Sequence, residues 1–305
     1  MPDNSVTVVV PTLNRQRELI RCIDSVMVQS WPPDQIIVVD DKSDFSVSSF
    51  LCKHYGNTIH VISNDRNLGP AESRNIGARA AKGEYIAFLD SDDYWHPEKL
   101  EKQLAIFAAN KDVGLVYCDQ WIVGVDGHKM ESKKLLLDQR LWEHLLRGWT
   151  APNPSTLVFK RSVFMQLGGF DPQLRSSEDH DLWMRIAQAR IPVAFCPDRL
   201  SFFSMGSPSR LSYNDGIRLN GLKPFLSKWR SQIVESYGRK HYKRFEADYV
   251  NKVAFPLVID AIKKLNFLLV LTIIWRHLIF NSLFYKQLSA RLLRRLIRNL
   301  RSNAS

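Results

Sequence analysis

Short apolar runs in the N-terminal part of the chain alternate with polar turns and helical patterns. The runs lie at residues 6–10, 36–39, 59–62, 85–89 and 113–117, and each has the length of a buried strand. Apolar residues recur at helical spacing over 15–29, and a second helix is predicted over 71–81, closed by Gly83 as its C-cap. This alternation predicts an α/β fold with a mainly parallel sheet and helices on both faces.

Polar residues follow three of these strands at the point where each one ends. They are Pro11 and Thr12 after the first strand, Asp40 and Asp41 after the second, and Asp90 to Asp92 after the run at 85–89. In open parallel sheets, ligands bind beyond the carboxyl ends of the strands. The sequence therefore predicts one binding site along this edge.

The segment FLDSDD (88–93) places three carboxylates directly after an apolar run. Carboxylates crowded together repel one another, and a hard cation such as Mg²⁺ or Mn²⁺ would relieve that repulsion. A bound cation would also hold a diphosphate and stabilise its charge as a leaving group. An Asp-rich turn that caps the next helix explains the same residues, so this segment alone leaves both interpretations open.

Two further segments favour a site for a charged substrate. In NLGPAESRN (67–75), Gly69 permits a tight turn and Arg74 offers a cation suited to phosphate. In SEDHDLWMR (177–185), Glu178 and Asp179 provide carboxylates that suit general base catalysis. Acidic residues in a first helical turn also interact favourably with the helix dipole, which is the structural alternative for this pair.

Six segments in order, VVVPTLNR, VVDDKS, NLGPAESRN, GEYIAFLDSDD, GGFDP and SEDHDLWMR, resemble the motifs of family 2 glycosyltransferases. The resemblance covers about residues 5 to 200. It implies a GT-A fold and an inverting enzyme that uses a nucleotide-diphosphate sugar, with a UDP-sugar expected. FLDSDD resembles the DxD motif of that family.

The resemblance also implies roles on the donor side of the site. Pro11 and Thr12 would contact the nucleotide through their main chain, and Asp41 would hydrogen-bond the base. Arg74 would lie near the base or the diphosphate. Asp90 would meet the ribose or the donor sugar.

The remaining implied roles concern the metal and the acceptor. Asp92 would bind the divalent metal, Mn²⁺ or Mg²⁺. Asp179, in a pair with Glu178, would be the catalytic base that deprotonates an acceptor hydroxyl. Trp183 and Arg185 would support the acceptor side.

Two points stay open within this resemblance. Asp181 competes with Asp179 for the role of base. Many relatives carry a histidine beyond the last core strand, but the corresponding stretch here, LSFFSMGSPSRLSYN, has none. Arg210 or main-chain groups would have to replace that histidine.

The C-terminal part of the chain is strongly basic. Residues 261–305 contain nine Lys and Arg and no Asp or Glu, so removing them from the net charge of +11 leaves +2 for residues 1–260. Over 286–301 a helical projection separates leucines from arginines, a pattern typical of a helix in an anionic membrane interface. Packing against the body, or against a second copy, explains the same pattern. Arg276 interrupts the apolar stretch at 267–285, which favours an interfacial segment or hairpin over a transmembrane span.

These patterns predict a catalytic domain over 1–222 and a helical, basic C-terminal region over 223–305. The nucleotide-binding half would end near residue 118, and the acceptor half would cover 119–222. Four scattered cysteines and the absence of a signal-peptide pattern predict a cytoplasmic protein, peripheral at the membrane. The acceptor would be a glycan or a lipid-linked glycan. The rival hypothesis is a catalytically silent sugar-nucleotide-binding or membrane scaffold protein of the same fold, and nucleic acid binding is not expected.

Overall fold

The computed structural model describes residues 4–131, 141–146, 151–205 and 215–263. The strands in these residues are β1 (Val6–Thr12), β2 (Gln35–Asp40), β3 (His60–Ser63), β4 (Tyr85–Phe88), β5 (Tyr94–Trp95), β6 (Leu115–Val123), β7 (Lys129–Glu131), β8 (Leu157–Lys160) and β9 (Val193–Ser204). The α-helices are α1 (Arg17–Met27), α2 (Val47–Tyr55), α3 (Pro70–Ala80), α4 (Lys99–Ala109), α5 (Leu141–Leu146), α6 (Arg161–Gln166), α7 (Glu178–Gln188), α8 (Asp215–Tyr237) and α9 (Arg239–Lys263).

The strands form one mixed sheet in the order β3-β2-β1-β4-β8-β6-β9-β5, and β7 pairs with β6. The first four strands in that order run parallel to one another. Strand β8 runs antiparallel to both β4 and β6, while β6 and β9 are parallel. The α/β expectation is confirmed, and the parallel arrangement holds for the N-terminal half.

Apolar strands and helix faces form the core between the sheet and its helices. Val8 and Val10 of β1 are fully buried, as are Leu19 and Ile23 of α1. They belong to one contiguous cluster that extends to Phe107 of α4. The buried valine-rich strands are those expected where helices cover the faces of a parallel sheet.

Gly83 has a different role from the predicted helix cap. Helix α3 ends at Ala80, and the residue that follows it, Ala81, has an extended backbone conformation. A Cβ added at Gly83 would lie 2.7 Å from the backbone nitrogen of Thr7 and 2.9 Å from the carbonyl oxygen of Ser5. Glycine is required here because the chain passes directly against the backbone of β1.

Contacts divide the chain into two compact units, Met1–Trp142 with Thr150–Arg210, and Glu143–Trp149 with Leu211–Ser305. In the second unit, Phe225 of α8 stacks on Tyr249 of α9, with ring centroids 4.4 Å apart. The predicted boundaries at 118 and 222 stay predictions. Arg210, the apolar stretch at 267–285 and the amphipathic segment at 286–301 lie outside the described residues.

Candidate functional site

The carboxyl ends of β1, β2 and β4 lie side by side, as predicted. Thr12 of β1 is the register partner of Asp40, and the Asp41 amide donates to the Thr12 carbonyl over 2.9 Å. Pro11 is paired with Val39 in the same register. The Thr12 side chain is buried, and within the described residues its hydroxyl has no hydrogen-bond partner. A buried polar atom without a partner at a strand end is a place where a bound ligand would supply one.

Asp41 fixes the turn that precedes α3. Its carboxylate accepts hydrogen bonds from the amides of Leu68 and Gly69, both over 2.8 Å, and from the Asn64 side chain over 2.9 Å. Gly69 adopts a φ of 87°, in the region that glycine occupies without strain. The Asp41 side chain therefore shapes the loop that leads to Arg74. Any bond to a nucleotide base would use its remaining acceptor capacity.

Carboxylate oxygens of Asp90, Asp92 and Asp93 converge to within 4.8 Å of one another, and we call this set the acidic cluster. Hard oxygen donors at this spacing fit Mg²⁺ or Mn²⁺, which are commonly held by one or two protein carboxylates together with water and phosphate. The donor set is thus suited to the divalent metal that the motif implies.

The members of the acidic cluster have different protein partners. Asp93 is buried, accepts the Ser155 hydroxyl over 2.7 Å and accepts the Ser204 amide over 3.1 Å, so it connects the short turn before β8 and the end of β9 to the cluster. Asp92 is also buried, and its carboxylate lies 3.2 Å from the Arg15 guanidinium. Asp90 is the most accessible of the three side chains and pairs with Arg74. Asp90 and Asp92 are therefore the better candidates for contact with a ligand.

Arg74 joins the acidic cluster to the start of α7. Its guanidinium lies 2.5 Å from the Asp90 carboxylate and 3.2 Å from the Glu178 carboxylate, and its side chain is only 4% exposed. Burial opposes the charge on Arg74, but these two carboxylates raise its pKa above the ordinary value. Two segments about 90 residues apart in sequence thus share one buried cation.

Glu178 and Asp179 begin α7, after Ser177 in a left-handed conformation with a φ of 70°. Burial and the neighbouring Asp179 raise the pKa of Glu178 to about 7, and Arg74 offsets part of that rise. Asp179 is partly exposed, and its carboxylate accepts the His180 amide over 2.7 Å. Asp181 is fully buried and pairs with Arg185 over 2.9 Å.

Trp183 and Arg185 lie behind this helix start. The Trp183 side chain is fully buried and donates from its ring nitrogen to the Pro152 carbonyl over 3.0 Å. Arg185 donates to the carbonyls of Leu167 and Gly169 over 2.6 and 2.7 Å. Their contacts to protein hold the Gly168–Gly169 turn and the segment near residue 152.

Sequence reasoning missed several residues of this region, of which Arg15, Arg21 and Asn75 are the main ones. Arg21 donates to the Asp92 carbonyl over 2.6 Å, and its guanidinium stacks on Tyr94 at 4.7 Å. The buried Asn75 amide donates to the Phe170 carbonyl and accepts from its amide, over 2.7 and 2.8 Å. Arg15 lies inside the segment VVVPTLNR, and Asn75 lies inside NLGPAESRN. For Arg15, the available signal was an arginine directly after the turn that ends the first strand.

The fold and the polar strand ends are those of a GT-A protein. The sequence profile of the family described as Glycosyl transferase family 2 matches residues 7–168. That is more than half of the chain, and the chain belongs to this family.

Relatives identified by sequence carry the same assignment. An uncharacterized glycosyltransferase of Haemophilus influenzae is 31% identical over 184 residues, which cover 60% of this chain and 62% of that protein. The amylovoran biosynthesis glycosyltransferase AmsB of Erwinia amylovora is 30% identical over 198 residues, or 61% of this chain and 64% of AmsB. The chain therefore spans somewhat less than two thirds of the length of these relatives.

Solved structures with the same fold include TarS of S. aureus. TarS 1-349 in complex with UDP-GlcNAc superposes with a TM-score of 0.61 at 19% identity, covering 81% of this chain and 72% of that one. At this identity the likeness establishes the fold. No helix among the described residues is both long and apolar enough to cross a membrane.

Proposed function

We propose that this chain transfers a sugar from a nucleotide-diphosphate donor, a UDP-sugar, to a hydroxyl group of a glycan or lipid-linked acceptor, with inversion at the anomeric carbon. The family supports glycosyl transfer. The observation that carries the specific proposal is the shared Arg74, which joins the acidic cluster to the Glu178–Asp179 pair. One cation thereby links a carboxylate of the proposed donor site to a carboxylate beside the proposed catalytic base.

The donor side is supported by the cleft edge at β1 and β2. Thr12 and Pro11 would offer main-chain contacts, and the Thr12 hydroxyl, which has no hydrogen-bond partner among the described residues, fits a bound ligand. Asp41 would meet the base, and Arg74 would remain near the diphosphate. TarS 1-349 has been solved in complex with UDP-GlcNAc, and this supports a uridine nucleotide for the present chain.

Asp92, with Asp90 beside it, would hold Mn²⁺ or Mg²⁺. A cation bound there supplies positive charge that stabilises the departing nucleoside diphosphate. Asp93 would keep its two hydrogen bonds and hold the turn that carries the other two carboxylates. Asp90 would then be shared between Arg74 and the ribose or donor sugar.

Asp179 is the proposed catalytic base. Its carboxylate would take the proton of the acceptor hydroxyl as that oxygen forms a bond to the anomeric carbon and the bond from this carbon to the diphosphate oxygen breaks. Asp181 is a weaker candidate because it is fully buried and already paired with Arg185. Glu178 would hold Arg74. Trp183 and Arg185 would support the acceptor side by fixing, respectively, the segment near residue 152 and the Gly168–Gly169 turn.

The acceptor and the location follow from the basic C-terminal segment. Nine positive and no negative residues over 261–305 support binding to an anionic membrane surface, at the cytoplasmic face, where a lipid-linked acceptor would lie. Sedimentation with anionic and neutral vesicles at low and high salt tests this part. Binding that is independent of lipid charge and of salt contradicts it.

Calorimetric titration of UDP with and without Mn²⁺ tests the donor half of the proposal. The comparison uses the wild type, Asp92→Asn and, as a matched control, Asp112→Asn at an exposed site outside the cluster. We expect binding that needs both Mn²⁺ and Asp92 and that the control leaves unchanged. UDP binding that depends on neither Mn²⁺ nor Asp92 would mean that FLDSDD is only a structural turn. Normal UDP binding without turnover of any UDP-sugar would support the silent scaffold instead.

Transfer to an acceptor is tested with Asp179→Asn and Asp181→Asn. We expect Asp179→Asn to bind UDP normally. Its rate of sugar transfer should fall by a factor of about 1,000, which is typical for the loss of a general base. Asp181→Asn should act through lower stability. The reverse pattern would make Asp181 the base.

A further inference from the structure

Arg15 lies against the acidic cluster from the loop between β1 and α1. Its guanidinium is 3.2 Å from the Asp92 carboxylate and donates to the Ser91 hydroxyl over 3.3 Å. The Arg15 side chain is 14% exposed, whereas that of Asp92 is 2% exposed. A cation of the protein itself thus sits beside the carboxylate that is the proposed metal ligand.

The loop that carries Arg15 is fixed to the neighbouring loop after β2. Asn14 has a left-handed backbone with a φ of 54°. Its amide donates to the Ser43 hydroxyl over 2.9 Å, and its side chain exchanges two hydrogen bonds with Asp44, over 2.9 and 2.7 Å. These hydrogen bonds hold the backbone near residue 15 beside the acidic cluster. The long Arg15 side chain can still change its rotamer.

A buried carboxylate needs a nearby positive charge, because the cost of leaving it uncompensated is large. For Asp92, Arg15 provides that charge in this structure. A divalent cation bound to the same carboxylate would repel a guanidinium that lies 3.2 Å from that carboxylate. The two cations therefore compete for Asp92.

We propose that Arg15 neutralises Asp92 in the nucleotide-free protein, yields that place to the divalent metal, and then contacts the diphosphate of the donor. This inference rests on the proposed function. The guanidinium fork matches phosphate oxygens, and a side chain displaced from Asp92 by a metal would face the anion that the metal binds. Arg15 thus couples the binding of the metal to the binding of the nucleotide.

The inference predicts opposite effects of one substitution on two ligands. Arg15→Ala should bind Mn²⁺ alone about ten-fold more tightly, because the competing cation is gone. In saturating Mn²⁺, the same variant should bind UDP at least ten-fold more weakly, because a charged hydrogen bond to the diphosphate is lost. Arg15→Lys, which keeps the charge without the fork, should bind Mn²⁺ like the wild type and UDP with intermediate affinity.

The experiment measures Mn²⁺ alone by electron paramagnetic resonance and UDP by calorimetry, on the full chain, with thermal melting as a check on folding. Arg79→Ala removes a matched cation that pairs with Glu72 at 2.6 Å on α3, and it should change neither affinity. Mn²⁺ should also raise the melting temperature of Arg15→Ala more than that of the wild type, because Asp92 then lacks its protein cation.

Three results would overturn the inference. Unchanged affinities in Arg15→Ala would mean that Arg15 meets neither ligand. Weaker binding of both Mn²⁺ and UDP would make Arg15 a structural support of Asp92. In either case, a wild type that binds UDP with Mn²⁺ leaves the proposed function intact. A wild type that binds no UDP with Mn²⁺ refutes the proposed function and this inference with it.

Discussion

Lys99 at the start of α4 is a fully buried amine, and its removal should stabilise the protein. Its ammonium group lies 4.0 Å from the ring centre of Trp95 and has no hydrogen-bond partner in the described part of the chain. Burial lowers the pKa of Lys99 to about 8. Burial also raises the pKa of Cys118 beside it to about 12, so that thiol supplies no negative charge at neutral pH.

The size of the effect follows from the difference between the ordinary lysine pKa and the value in the folded protein. A lysine pKa lowered from 10.5 to about 8 corresponds to about 3 kcal/mol against folding at pH 7. The face of Trp95 offsets about 0.5 to 2 kcal/mol of that cost. Lys99→Met, which keeps a long apolar chain, should therefore raise the free energy of unfolding by about 1 to 3 kcal/mol at pH 7.

The sign of the pH dependence gives a second check on Lys99. The charged form is disfavoured in the folded state, so wild-type stability recovers as pH rises from about 8 towards 10.5, where the unfolded chain also loses the proton. The advantage of Lys99→Met should thus fall below about 1 kcal/mol by pH 10. Urea unfolding at pH 7 and pH 10 measures both values. Lys102→Met, at an exposed ion pair on the same helix, is the control. A less stable Lys99→Met at pH 7, with a difference that pH does not change, would refute the reasoning.

Three other predictions concern residues around the site. Glu178 has a pKa of about 7 in the folded protein, above its unfolded value, so its contribution to stability is full below about pH 4.5 and is lost as pH rises to about 7. Urea unfolding of Glu178→Gln should lack that decrease, and an identical decrease in the variant would assign it to another group. Gly83→Ala should lower stability by about 1 to 3 kcal/mol because its Cβ meets backbone atoms of β1, as measured by urea unfolding against the wild type. Asn75→Ala should cost about 3 kcal/mol, since two buried backbone groups of Phe170 lose their partners; a thermal shift near zero would mean that water replaces the amide.

The N-terminal half of the fold could be predicted because each element follows from a local period. Apolar runs and helical spacing determine β1, β2, β4 and α1, and strand order brings Thr12, Asp41 and Asp90 to one edge. The mixed half could not be predicted in this way. Strands β5 and β7 have two and three residues, too short for a period, and β9 continues through Pro197.

In the candidate site, the residues could be predicted from motifs, but their pairings could not. Motifs indicated that Asp90, Asp92, Arg74 and Glu178 belong to one region. They could not indicate that Arg74 pairs with Asp90 and Glu178 at once, because that contact spans 104 residues and depends on packing. Trp183 and Arg185 were identified by motif, while their hydrogen bonds to backbone carbonyls required the structure.

Asp93 accepts the amide of Ser204, a residue 111 positions further along the chain. Strand β5, which directly follows the acidic cluster, is likewise paired with β9. Contacts of such sequence separation form late, because loop closure precedes any gain from them. The three aspartates are thus not sufficient by themselves to form the acidic cluster. A chain shortened before residue 193 would retain all three aspartates and the whole segment matched by the family profile. It would lack β9, the strand that holds their turn in place. During synthesis, the acidic cluster would acquire its final geometry only after β9 has left the ribosome.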